Sequence, residues 1–188
     1  FAAVINAASK AKCDVLSISW GNDEKAWQAG SAGAAAGVES AAQSAAVAGM
    51  IILAAAGDGS SSDGDTGTNV DVPAACPHVI GCGGTSKTSS SEVVWGDGVA
   101  KDPGTGGGFS MLFPIQSFQT GAPTPPTGLG RMVPDLSADA DPNTGLEIVV
   151  GGASVIVGGT SAVAPFYAGL FAASGKQLGF ISPALWAN

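Results

Sequence analysis

The chain has 188 residues, of which 45% are hydrophobic and 12% are charged. This composition is too apolar and too weakly charged for a disordered chain, and the length suits one domain. Seven basic residues against fifteen acidic ones give a net charge of −8, which argues against nucleic acid and anionic membrane as partners.

The first part of the chain predicts helices and strands in alternation. The pattern predicts a helix over residues 1–8, a buried strand over 14–20, an alanine-rich helix over 32–48 and a second buried strand over 50–56. Both strands are continuous apolar runs without polar alternation, which is typical of strands buried on both faces. We therefore expect an α/β fold of three layers, a mainly parallel sheet with helices on both faces.

The remainder of the chain contains more loops. A polar loop, Gly57 to Asn69, leaves the carboxyl end of the second strand, where ligands bind in open α/β sheets. We expect two further strands, over residues 78–82 and 92–95, followed by a glycine-rich stretch over 96–108 and a surface loop over 117–131. A hairpin that turns at two glycines is expected over 146–157, and a final helix over 162–174.

The sharpest chemical signal is the segment GGTSAVAP, Gly158 to Pro165. Its glycines allow a tight turn into a helix, and Ser161 then lies near free N–H groups and the positive end of the helix dipole. This environment suits an activated nucleophile. It also suits a plain N-cap on a buried helix, and the local pattern leaves both interpretations open.

A nucleophilic serine requires a base, which is usually histidine. The only histidine, His78, follows Pro77 at the entrance to a strand and has no acidic residue beside it in the sequence. We interpret it as a structural histidine at or near the surface. The base of a hydrolase built on Ser161 would then be a carboxylate, or would lie outside this chain.

Asp58 ends the buried run AAAGD. A carboxyl group between apolar backbone and a glycine can stay protonated and donate a hydrogen bond to an oxyanion. A solvated loop aspartate, or an Asx turn in which the side chain accepts a hydrogen bond, explains the same spacing.

Other features of the chain limit its class. No apolar run reaches the ~20 residues of a membrane span, and the first residues lack the pattern of a signal peptide, so we expect upstream sequence to be missing. Cys13, Cys76 and Cys82 have no zinc-site spacing. Buried free thiols are the favoured interpretation.

Seven stretches together resemble the sedolisin family of serine-carboxyl peptidases, and within it the kumamolisin-like bacterial members. They occur in the family's order and span nearly the whole chain: SISWG (17–21), LAAAGD (53–58), PAA (73–75), GGT (83–85), GGGFS (106–110), VPDLS (133–137) and GGTSAVAP (158–165). The resemblance implies a subtilisin-like fold and cleavage of peptide bonds in acid, in an enzyme that is secreted.

The resemblance also implies roles for individual residues. Ser161 would be the nucleophile and Asp58 the acid of the oxyanion hole. Trp20 would lie beside the catalytic groups, although a core or rim aromatic explains it equally well. Gly106, Gly107 and Gly108 would line substrate subsites, unless they form only a tight turn.

The chain departs from the family pattern in two ways. The family's base, a glutamate backed by an aspartate, lies on a helix that precedes the segment matched here. The family's calcium site is built from residues downstream of the position of Asn188. We therefore expect residues 1–188 to be the C-proximal part of one catalytic domain, with no cofactor of its own, whose substrate is a peptide or protein. A second chain or an upstream segment would supply the Glu/Asp pair.

Two other functions stay open at this point. A truncated or inactive homologue could serve as a binding scaffold, since the carboxylate pair is absent. The other hypothesis is a subtilisin-type serine protease. The related subtilisins share the GTS motif, but they carry asparagine where Asp58 stands and require an HGTH segment that this chain lacks.

Overall fold

The structure is a computed structural model that describes residues 1–30, 33–96 and 103–187. The helices are α1 (Ala2–Lys10), α2 (Glu24–Gly30), α3 (Ala34–Val47), α4 (Thr160–Ala173) and α5 (Ser182–Leu185). The strands are β1 (Val15–Ile18), β2 (Asn22–Asp23), β3 (Ile51–Ala55), β4 (Asp71–Val72), β5 (Ile80–Lys87), β6 (Glu92–Val94), β7 (Gly108–Phe109), β8 (Met132–Val133), β9 (Leu136–Asp139), β10 (Leu146–Val150) and β11 (Ala153–Val157).

The central sheet is mainly parallel. Strand β3 pairs in parallel with β1 on one side and with β5 on the other, and β9 adds to β5 in parallel, while β6 joins β5 in the antiparallel direction. Because these strands run in the same direction, the loops that follow β1 and β3 leave from one edge of the sheet. Residues at that edge can form a shared site.

Helices cover both faces of the sheet. Successive side chains of β3 point to opposite faces: Ile52 packs in a core with Ile5 of α1 and Val38 of α3, whereas Leu53 packs in a second core with Val163 of α4. This is the three-layer α/β arrangement that the unalternated apolar strands predicted. The sequence prediction of the fold class is confirmed.

Most of the long predicted elements are present, with shifted ends. The helix predicted over residues 32–48 is α3, which begins at Ala34; position 32 lies outside the described residues. The last helix begins at Thr160 instead of residue 162. The hairpin formed by β10 and β11 is present as predicted, turning at two glycines with positive φ.

The range predicted for the third strand is wrong at both ends. The prediction is residues 78–82, but β5 begins at Ile80 and continues to Lys87. Its continuation contains Gly83 and Gly84, which lie outside the predicted strand. A Cβ at Gly83 would lie 2.5 Å from the Pro134 ring, so glycine here permits the close approach of a neighbouring segment.

Several short elements were not predicted, because they contain too few residues to show periodicity. These are α2, α5 and the two-residue strands β2, β4, β7 and β8. Strand β9 was missed because its residues are polar as well as apolar. Part of the glycine-rich stretch predicted over residues 96–108, namely 97–102, lies outside the described residues.

The first turn of α2 is fixed by a buried acid. Glu24 is fully buried, and its carboxylate accepts hydrogen bonds from the Ser110 hydroxyl at 2.5 Å and from the Met111 N–H at 2.6 Å. Burial raises the pKa of Glu24, while these hydrogen bonds act in the opposite direction. The contact ties α2 to the segment that follows β7.

The cysteine prediction was correct for two positions and wrong for the third. Cys76 and Cys82 are buried free thiols, and burial raises the pKa of Cys82 to about 12. Cys13 is also a free thiol but is exposed. It follows α1 and precedes β1, where the chain crosses the surface between two elements.

Arg131 ends the segment predicted to be a surface loop, but it is fully buried. Its guanidinium donates to Asp135 at 2.6 Å and to the Val79 carbonyl at 2.8 Å. Asp135 also accepts from the N–H of Gly81 at 2.7 Å and from the indole N–H of Trp186 at 2.8 Å. This ion pair therefore joins β5 to the residues on either side of β8 and to the residue that follows α5.

We expect Arg131→Met to reduce the free energy of unfolding by about 3–5 kcal/mol, because Asp135 would remain buried without its cation. Urea denaturation followed by circular dichroism measures the change. Lys87→Met is the control, because Lys87 and its partner Glu92 are exposed and such pairs contribute little. Equal losses in both variants would contradict the importance of the buried pair.

Candidate active site

The start of helix α4 requires glycine at two positions. A Cβ at Gly158 would lie 2.5 Å from the carbonyl oxygen of Ala140. Gly159 has a φ of 85°, and a Cβ there would lie 2.8 Å from Oδ2 of Asp58. Gly158 therefore permits the close approach of Ala140, and Gly159 brings the first turn of the helix directly against Asp58, an approach that a larger residue would block.

Ser161 lies in the first turn of α4, as predicted, and is partly buried. Its hydroxyl donates to the carbonyl oxygen of Ser19 at 3.4 Å, while the Ser19 hydroxyl donates to the carbonyl oxygen of Ser161 at 2.8 Å. The first of these bonds is too long to hold the Ser161 hydroxyl firmly. The second fixes the serine backbone to the segment that follows β1.

Asp58 follows β3 and is exposed, but one of its oxygens is held by α4. Oδ1 accepts a hydrogen bond from the Thr160 N–H at 2.7 Å and lies 2.8 Å from the Thr160 hydroxyl oxygen. That same hydroxyl lies 3.1 Å from the carbonyl oxygen of Gly57. A hydroxyl has one hydrogen, so the Thr160 hydroxyl can donate to Asp58 or to Gly57 but not to both at once.

The structure thus brings Ser161 and Asp58 to the same edge of the sheet. They leave from different elements, and Thr160, the residue before Ser161, makes the contact with Asp58. Thr160 is fully buried and was not selected from the sequence, although it lies within the GGTS segment. Ser19 was also missed, since a serine in a short apolar run gives no signal of its contacts.

Trp20 lies at this edge and is not a core residue. Its side chain is 78% exposed, and it lines an open depression of about 560 Å³ together with Asn22 of β2 and Trp27 of α2. An aromatic side chain this exposed, next to Ser19, is available for contact with a bound molecule.

The glycines at 106–108 lie alongside the Asp58 loop. The N–H of Gly106 donates to the carbonyl oxygen of Gly57 at 2.8 Å, and a Cβ at Gly106 would lie only 1.8 Å from the carbonyl oxygen of Ala56. Gly107 follows in extended conformation, and Gly108 begins β7. Close packing against the loop is enough to explain glycine at position 106.

A second depression, of about 430 Å³, lies next to Ser161. It is lined mainly by apolar side chains from the hairpin and from α4, including Ile148, Pro165 and Phe166. Part of this apolar surface is exposed, with Phe166 49% accessible.

His78 lies away from Ser161, before the amino end of β5. Its Nδ1 is 2.5 Å from Oε1 of Glu39 on α3, and its backbone N–H donates to the same carboxylate at 3.2 Å. The ring also contacts Phe180. His78 is therefore a half-buried structural residue, as predicted, and its acidic partner was missed because it lies 39 residues earlier.

Metal and membrane features are absent from the described part of the chain. Residues 1–30, 33–96 and 103–187 contain no group of three or more His, Cys, Asp and Glu side chains arranged to hold a metal ion. The calcium implied by the resemblance has no ligand set among them. No described helix has the length and apolarity needed to cross a membrane.

Comparisons with known proteins agree with the resemblance seen in the sequence. The sequence profile of the subtilase family matches residues 1–184. Kumamolisin from Bacillus sp. (strain MN-32) is 44% identical over 192 residues, covering 93% of this chain and 34% of that protein. The chain therefore spans about a third of this relative's length.

Solved structures show the same fold. Pseudomonas sedolisin, a serine-carboxyl proteinase complexed with two molecules of pseudo-iodotyrostatin, superposes with a TM-score of 0.83 at 29% identity. The match covers 99% of this chain and 55% of that one. Sphericase superposes with a TM-score of 0.58 at 16% identity, covering 97% of this chain and 52% of its own, which supports the fold alone.

We expect Thr160→Val to reduce the free energy of unfolding by about 1–3 kcal/mol, because it removes the buried hydroxyl between Asp58 and Gly57 without changing the volume greatly. Thermal unfolding measures this loss. Thr144→Val is the matched control, since the Thr144 hydroxyl donates to Asp139 at 2.8 Å in a less buried place. A loss no larger than in the control would show that Thr160 does not hold the loop.

Proposed function

Because the chain belongs to the subtilase family, we propose that the protein is a serine-carboxyl endopeptidase of the sedolisin type, which cleaves peptide bonds in acid with Ser161 as nucleophile. The proposal rests most on one observation: Asp58 is held against the helix turn that carries Ser161. The contact places a carboxyl group beside the turn that carries the serine hydroxyl.

In the proposed reaction the substrate carbonyl lies between Ser161 and Asp58. The Ser161 hydroxyl attacks the carbonyl carbon, and the N–H of Ser161 and a protonated Asp58 donate hydrogen bonds to the oxygen as it becomes negative. The loose hydrogen bond from Ser161 to Ser19 leaves the hydroxyl free to turn toward a substrate. Because Thr160 engages Oδ1 of Asp58, Oδ2 is the oxygen that would carry the proton donated to the substrate.

Acid conditions follow from the role proposed for Asp58, because only the protonated carboxyl can donate. The base that accepts the Ser161 proton would be a carboxylate as well. His78 is bound to Glu39 of α3, away from Ser161, so it does not fill this role. We propose a glutamate backed by an aspartate, from a segment or chain other than the described residues.

The proposed substrate is a peptide or protein. Trp20 and the glycines at 106–108 flank the two reactive residues and would contact the substrate chain. Secretion and a calcium ion held by downstream residues are further expectations from the family. They enter no step of the reaction.

The alternative is an inactive homologue that binds partners without cleaving them. It would have the same fold and the same Asp58–Thr160 contact, because neither depends on a base. A purified protein that cleaves no peptide between pH 3 and pH 9 would support this alternative.

We expect Ser161→Ala to lower kcat by several orders of magnitude and Asp58→Ala to lower it about 10²–10³-fold, as the loss of one oxyanion donor does. Peptide hydrolysis in acid measures both. Ser154→Ala, on the exposed strand β11, is the control and should keep full activity. Near-full activity of Asp58→Ala would refute its proposed role.

Asp58→Asn tests the protonation of Asp58 directly. An amide donates a hydrogen bond at every pH, so this variant should keep more activity than Asp58→Ala and should lose less of it as the pH rises from 4 to 7. The pH dependence of kcat gives the answer. If Asp58→Asn were as inactive as Asp58→Ala at all pH values, hydrogen-bond donation would not be what position 58 contributes.

A further inference from the structure

A pair of acidic side chains lies beneath the loop that carries Asp58. Asp71 of β4 is 5% exposed. Its carboxyl group lies beside that of Asp63, at the end of the short 3-10 turn that follows Asp58. Two ionised carboxylates repel each other and cannot form a hydrogen bond, whereas one proton between them allows a hydrogen bond.

The two carboxyl groups meet at Gly57. A Cβ at Gly57 would lie 3.2 Å from Oδ2 of Asp71 and 3.4 Å from Oδ1 of Asp63. The carbonyl oxygen of Gly57 in turn accepts the N–H of Gly106 and is in reach of the Thr160 hydroxyl. The acid pair is therefore in contact with the residue that connects β3, the glycine segment and α4.

The titratable groups that act on Asp71 are acidic. Asp23 of β2 and Asp58 of the loop both act on Asp71 electrostatically, in addition to Asp63. The ion pairs found among the described residues leave Asp63 and Asp71 without a basic partner. Oδ1 of Asp71 is buried and has no hydrogen-bond partner among the residues that the structure describes.

We propose that Asp63 and Asp71 share one proton, and that this proton locks the Gly57–Asp58 loop in place until it is lost. When the pair is fully ionised, two adjacent negative charges face Asp23 and Asp58 in a poorly solvated place. The loop opens to let them separate, and Asp58 leaves Thr160. The lock depends on the loop and not on any reaction, so it extends beyond the proposed function.

The direction of the pH effect follows from the proton. Burial and the neighbouring acids raise the pKa of Asp71 to about 9 from an ordinary value near 4. Between these values the closed loop keeps a proton that the open or unfolded chain releases. Closure is therefore favoured fully in acid and is weakened by up to about tenfold per pH unit as the pH rises.

Hydrogen exchange of the intact protein tests the lock without a substrate. Amides of residues 57–63 are followed by mass spectrometry at pH 5 and pH 8, with rates corrected for the intrinsic effect of pH. Amides of β3 and β5 report global unfolding in the same experiment. This separates loop opening from the contribution of other buried acids such as Glu24.

We expect protection of the loop to fall at least tenfold between pH 5 and pH 8, while protection of β3 and β5 falls less. In Asp71→Asn the amide donates to Asp63 without a titrating proton, so the loop should stay protected at both pH values. Asp63→Asn should behave in the same way and serves if the first variant does not fold. Asp65→Asn, at an exposed ion pair with Lys25, should keep the response of the unchanged protein.

Two results would overturn the proposal. One is loop protection in the unchanged protein that does not differ between pH 5 and pH 8. The other is a folded Asp71→Asn or Asp63→Asn variant whose loop keeps the same loss of protection. Neither result bears on the peptidase reaction, which is tested by the activity of the Ser161 and Asp58 variants.

Discussion

The contact between Thr160 and the Gly57–Asp58 segment is the constraint on which the site depends. Strand β3 and helix α4 are separated by about a hundred residues, and they meet where the Thr160 N–H and hydroxyl reach Asp58 and Gly57. The contact needs glycine at 159, because a side chain there would collide with Asp58. The GGTS segment is thus required by packing before any role in chemistry is assigned to it.

The sequence predicted the layers of the fold and the edge at which the site forms. Continuous apolar runs identified β1 and β3, and the polar loop after β3 pointed to Asp58. The positions that could not be predicted depend on contacts between distant segments. Arg131 can be buried because Asp135 and the Val79 carbonyl accept hydrogen bonds from its guanidinium. Thr160 belongs to the site because Asp58 lies against it. Neither relation leaves a periodic pattern in the sequence.

Several aspartates lie close together beneath the proposed active site. The net charge of the chain is −8, and the structure places three aspartates, at positions 23, 58 and 63, close enough to Asp71 to act on it electrostatically. Such a concentration favours protonated carboxyl groups. The proton proposed for the Asp63–Asp71 pair follows from the cost of ionising neighbouring acids in a buried place.

The most direct test of the site is a crystal structure of the intact protein with a peptide aldehyde bound. A nucleophilic serine adds to the aldehyde carbon and leaves its oxygen where the oxyanion of the reaction would lie. The account predicts a covalent bond to the Ser161 Oγ, with that oxygen about 2.7–3.1 Å from the Asp58 carboxyl group. An aldehyde bound to another residue, or an oxygen directed away from Asp58, would contradict it.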